Sequence, residues 1–165
     1  MTELIFAYGS NMCTGRLAAY GVTPLRARGA LLKGYKLSFR KRSQDDSGKT
    51  DVVRSRSRNA DVWGVLYEVD AQDLVRLDDG EKGYQRRRDR VLLRNGRSVK
   101  VWIYVSTPNH RDESLRPYTW YKRFLVEGAK EHLLPKSYVA LLEGIVAIED
   151  ANRERDRRKR YLTCP

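Results

Sequence analysis

Two short segments hold residue types that can do chemistry together. In Phe6-Ala7-Tyr8-Gly9-Ser10-Asn11, the glycine lets a ligand approach the main chain. Successive N–H groups, with the Ser10 hydroxyl and Asn11 amide, can surround a carboxylate or a developing oxyanion. Much further along, Leu77-Asp78-Asp79-Gly80-Glu81-Lys82-Gly83-Tyr84 sets a carboxylate between glycines. Glu81 falls just past a predicted helix C-terminus, where the helix dipole disfavours negative charge and pushes a carboxyl toward a useful general acid/base. Each segment also has a plainer reading. The first can be a strand-to-helix turn with Asn11 capping the helix, the second a solvated turn where Glu81 is one acid beside Asp78 and Asp79.

Periodicity indicates the elements that must position these residues. Residues 4–8 form a short apolar strand that stops at Gly9, and a helix is predicted over 14–20. Asp70 is the expected N-cap of a helix with Leu74, Leu77 and Val75 on its stripe, ending near Gly80. Alternation predicts a strand over 35–40, a dense run of Trp63, Val65, Leu66 and Tyr67 predicts another over 61–69, and 26–33 and 51–56 are weaker strand candidates on either side of a polar loop over 43–50. Asn95-Gly96 is a tight-hairpin signal between strands over 91–94 and 97–105. In the second of these, Val99, Val101, Ile103 and Val105 share one face, and Lys100, Trp102 and Tyr104 the other. Helical spacing then runs over 118–132 through Tyr121, Leu125 and Gly128, is stopped by Pro135, and resumes over 136–148. The expected fold is α+β: one small mixed β-barrel with surrounding helices over residues 1–150. The charged tail, 151–165, is expected to fray or lie as an exposed helix.

The chain has 165 residues and 41% hydrophobic content, enough for one domain with its own core and no need of a disulfide or metal. Cys13 and Cys164 are far apart in sequence and make no zinc spacing with His110 or His132. A reduced, metal-free, cytoplasmic protein is therefore expected. Cys13 lies near a predicted helix N-terminus, so it is either a small packing residue or a stabilised thiolate able to serve in acyl transfer. No apolar run approaches the ~20 residues that span a bilayer, and no basic segment precedes the apolar residues 4–8. Lys and Arg number 33 against 21 acids, a net charge of +12, which makes nucleic acid a candidate partner. Acids interleave the basic groups, however, and no recognised nucleic-acid module accompanies them. The charge is read as solvated surface that can also draw in small anionic substrates.

With both segments in view, the chain resembles the γ-glutamylcyclotransferase-like family, which includes the AIG2-like proteins. The resemblance spans residues 5–149. It rests on Tyr8-Gly9-Ser10-Asn11, Val62-Trp63-Gly64-Val65-Leu66-Tyr67, the turn from Leu77-Asp78 to Glu81, Trp120-Tyr121-Lys122, Gly128-Ala129-Lys130-Glu131 and Leu134-Pro135, in that order. It implies a β-barrel with helices around it and an intramolecular acyl transfer on a small γ-glutamyl substrate, without cofactor or metal. Glu81 then takes the place of the family's catalytic glutamate. Tyr8, Gly9, Ser10 and Asn11 would hold the γ-glutamyl group, with Ile5, Phe6 and Ala7 lining the approach. Tyr104 and Tyr121 match family tyrosines near the pocket. Read from spacing alone, Tyr121 can equally be packing against Leu125. The connection from Glu81 to Tyr84 is shorter than in some family members, which bears on the leaving-group side, shaped by residues 82–85 and 107–117. A specialised γ-glutamyl amine as substrate, or a non-catalytic module that binds an anionic ligand or nucleic acid, are the alternatives.

Overall fold

The protein is described by a computed structural model that covers residues 1–164. Its elements run β1 (Thr2–Ala7), α1 (Thr14–Ala19), β2 (Arg26–Lys33), β3 (Tyr35–Arg42), β4 (Gly48–Arg54), β5 (Asp61–Asp70), α2 (Ala71–Gly80), β6 (Tyr84–Leu93), β7 (Ser98–Ser106), α3 (Thr119–Glu131), α4 (Lys136–Glu143) and α5 (Arg153–Arg160). Five strands close a barrel in the order β1-β5-β2-β6-β7, and β3 and β4 form a separate two-stranded sheet. The barrel closes through a parallel pairing of β1 with β7 at Ile5 and Trp102, while its other pairings are antiparallel.

The strand period of two divides the apolar residues into two cores. Phe6, Leu32, Leu66, Val91, Val101 and Ile103 belong to one cluster, inside the barrel. Ile5, Ala7, Val65, Tyr67 and Val69 point the other way and join Leu17, Leu74, Leu77, Phe124, Leu125 and Leu142 from the helices. The same alternation places Val101 and Ile103 inside and Trp102 and Tyr104 outside. In the second core α3 lies against a single 3-10 turn, Ser10–Met12, that follows β1. The approach is very close: a Cβ on Gly128 would lie 2.6 Å from Cys13 N and Met12 C. That contact braces the loop after β1.

Several boundaries differ from expectation for identifiable reasons. β6 begins at Tyr84 rather than near Val91. Its run of arginines looks like a loop but pairs with β7, and Arg88 stacks on Trp102 directly across the ladder, with Cζ 3.6 Å from the ring centroid. β4 starts at Gly48, inside the segment read as a polar loop, and α4 stops at Gly144 rather than running to 148. Asp70 makes no side-chain cap on α2, where the Ala71 N–H donates to the Met1 carbonyl instead.

The expectation of reduced cysteines is overturned. Cys13 and Cys164 are joined in a disulfide across a sequence separation of 151. Distance along the chain misled here, because α5 folds back on the body and carries the C-terminal segment to the start of α1. Arg123 on α3 donates to the carbonyls of Lys159 (3.0 Å) and Leu162 (2.7 Å), and Arg155 pairs with Asp150 at 2.6 Å. α5 itself buries no residue.

Candidate active site

Each predicted site residue lines one cleft beside the end of β1, with a cavity volume of about 50 Å³. Its walls are Ile5, Phe6, Ala7, Tyr8, Gly9, Ser10, Asn11, Tyr104, Tyr121 and Glu81, joined by Thr50, Leu77 and Tyr84.

β1 delivers the loop, and the 3-10 turn then folds it over. Met12 N–H donates to the Gly9 carbonyl at 3.0 Å and Cys13 N–H to the Ser10 carbonyl at 3.1 Å. Among the described residues, the N–H groups of Gly9, Ser10 and Asn11 have no protein acceptor. Three consecutive free donors on a braced turn have the chemistry to cradle an anion. Gly9 is required there because a Cβ would sit 2.1 Å from Thr50 Oγ1 and 3.2 Å from the Tyr121 hydroxyl.

Glu81 is the residue just past α2, and its N–H still donates to the Leu77 carbonyl at 2.8 Å. Asn11 does not cap α1, a place held by Cys13. Its amide reaches across and donates to Glu81 Oε1 at 2.6 Å, so the two sequence segments meet side chain to side chain. Burial pushes the Glu81 carboxyl above its ordinary value, and the Asn11 hydrogen bond, Arg16 and Lys41 pull it partly back. Burial, rather than the helix terminus, is thus the main cause.

Tyrosines form much of the remaining wall. The Tyr121 hydroxyl accepts from Thr50 N–H at 3.1 Å and lies 2.9 Å from Thr50 Oγ1, so it serves the site and the core at once. Tyr84 donates to the Thr50 carbonyl at 2.7 Å, and Tyr8 donates to the Tyr104 carbonyl. The Tyr104 hydroxyl donates to Asp78 at 2.8 Å. Burial drives Tyr8, Tyr84 and Tyr121 upward, so all three stay neutral near pH 7 and can donate. Cys13, once a candidate nucleophile, has its sulfur in the disulfide. Glu131 and the two cysteine sulfurs are the group of metal-ligand types found among the described residues, and the disulfide occupies both sulfurs.

The model of the AIG2-like family matches residues 61–142. Gamma-glutamylcyclotransferase of Mus musculus is 32% identical over 152 residues, covering 87% of this chain and 79% of the relative. The chain belongs to the γ-glutamylcyclotransferase family. The Homo sapiens gamma-glutamylcyclotransferase is likewise 32% identical over 150 residues, with 86% and 78% of the two chains covered. A solved gamma-glutamyl cyclotransferase structure superposes with a TM-score of 0.83 at 25% identity, covering 97% of this chain and 99% of the other. This family member therefore has the expected α+β barrel with surrounding helices.

Thr50, Leu77 and Tyr84 were not foreseen as wall residues. In the sequence Leu77 carries only the signal of a helix stripe, and Thr50 falls in a polar stretch that reads as a loop. Tyr84 ends the glycine-flanked segment itself, so its place next to Glu81 was the available signal. Arg16 and Lys41 carried no signal, since their nearness to Glu81 depends on tertiary packing.

Proposed function

We propose that the protein is a γ-glutamylcyclotransferase that closes the γ-glutamyl group of a small substrate into 5-oxoproline and frees the attached amino compound, with Glu81 as acid/base. The Asn11–Glu81 hydrogen bond is the observation that carries this reading, because it puts a raised carboxyl against a loop of free N–H donors. The α-nitrogen attacks its own side-chain amide carbonyl, a C–N bond forms, and a tetrahedral oxyanion develops. The N–H groups of Gly9, Ser10 and Asn11 suit the negative groups of a γ-glutamyl unit, carboxylate or oxyanion. Glu81 takes a proton from the attacking nitrogen and returns it to the leaving nitrogen as the original amide bond breaks. Both reacting groups belong to one molecule, so folding the substrate in the cleft supplies much of the acceleration.

The product decides the reaction. Incubation with γ-glutamyl dipeptides should yield 5-oxoproline and free amino acid in equal amounts. Glutamate in place of 5-oxoproline would mean hydrolysis. No turnover, with the dipeptides bound, would mean a binding module.

A further inference from the structure

Lys41 on β3 is 6% exposed, yet among the described residues its side chain makes no ion pair and donates no hydrogen bond. Its ammonium lies 4.9 Å from the ring centroid of Tyr84, a wall of the cleft. The carboxylates that attract it, Glu81 and Asp45, are engaged elsewhere: Asp45 pairs with Lys49 at 2.8 Å, and Glu81 accepts from Asn11. The stem of Lys41 is packed while its ammonium keeps contact with solvent beside the face of Tyr84, so it is a cation that an anionic group can reach.

The surroundings of Lys41 identify which end of a substrate it serves. A Cβ on Gly83 would meet Lys41 Cε at 2.8 Å and His110 Cδ2 at 3.0 Å, and the Lys41 backbone bridges to Arg111. Lys41 is therefore wedged between the Glu81–Tyr84 connection and the segment after β7. The free N–H groups of residues 9–11 are matched to the γ-glutamyl unit, which leaves this cation for the other end.

Granting the cyclotransferase reading on which this rests, we propose that Lys41 is a specificity-determining residue. Its ammonium receives the carboxylate of the departing amino acid, so that γ-glutamyl amino acids are taken in preference to γ-glutamyl amines.

γ-Glutamylalanine and γ-glutamylethylamine differ only in that carboxylate. For the wild type, kcat/KM for 5-oxoproline release should favour the alanine compound by about tenfold to a hundredfold, the range of a hydrogen bond to a charged group. Lys41→Met should bring the ratio close to one, mainly through KM for the alanine compound, and Lys41→Arg should restore most of it. A wild-type ratio near one overturns the proposal whether or not any variant folds. So does a folded Lys41→Met protein that keeps the wild-type ratio, which would leave Lys41 a packing residue behind Tyr84. If the wild type releases 5-oxoproline from neither compound, the cyclotransferase reading itself fails.

Discussion

Glu81 is a carboxylate whose surroundings work against its charge, and that has consequences for rate and for stability. If the ionised form starts the reaction, turnover falls as pH drops through the raised Glu81 pKa. The Asn11 amide favours the ionised form, so Asn11→Ala should shift the acidic limb of the pH–rate profile to higher pH. A limb that stays in place would remove Asn11 from the control of Glu81. Burial also makes the folded protein hold the Glu81 proton more tightly than the unfolded chain, whose value lies near 4.5. This contribution is fully present below that value and is lost as pH rises through the folded pKa. Glu81→Gln should therefore melt above wild type at neutral pH, with the gap closing below pH 4.5. A lower melting temperature at pH 7 would show that the ionised carboxylate is a net structural support.

At the scale of elements, the site is held where backbones come closest. Gly9 against Thr50 and Gly128 against the turn at Met12 and Cys13 leave no room for a methyl group. Gly128→Ala meets backbone, which cannot rotate away, and should cost about 1–3 kcal/mol in urea unfolding and reduce turnover as the loop shifts. Gly9→Ala meets the Thr50 hydroxyl, and adding Thr50→Ser should not relieve it, since the clashing Oγ is retained. Thr50→Ala should relieve it in part, with recovery read from both stability and turnover. The elements most legible in the sequence were those with uninterrupted alternation, such as β3 and β7. β6 was only half legible because its arginines, a loop signal in isolation, find Trp102 and Asp78 only after β7 and α2 are in place. The two halves of the site were legible as separate motifs. Their meeting through Asn11 and Glu81, and the parts played by Thr50 and Lys41, depend on tertiary contacts that no local pattern records.

Across the whole molecule, the chain returns on itself so that its C-terminal segment is bonded two residues beyond Asn11. The Cys13–Cys164 disulfide closes nearly the full chain, a loop whose crosslinking typically contributes about 2–4 kcal/mol, chiefly by restricting the unfolded ensemble. Cys164→Ser should lower the unfolding free energy measured in urea by that amount, and reductant should lower the wild type but leave the variant unchanged. An equal response of both proteins to reductant would argue against the bond. Turnover should persist in Cys164→Ser, since the proposed chemistry uses no sulfur. In a reducing compartment such as the cytoplasm, the tail would rest on its hydrogen bonds from Arg123 and the Arg155–Asp150 pair. No helix among the described residues is long and apolar enough to cross a membrane. The net charge of +12 fits long-range attraction of an anionic substrate.

The most direct test of the central claim is 5-oxoproline formation from a γ-glutamyl dipeptide by wild type and by Glu81→Gln, with the fold of both confirmed by circular dichroism. The variant should lose about 10²–10⁴-fold in kcat, the range for removing a positioned acid/base, with KM changed far less. A folded Glu81→Gln protein that forms 5-oxoproline at the wild-type rate would contradict the account and return Glu81 to being an acid on a turn.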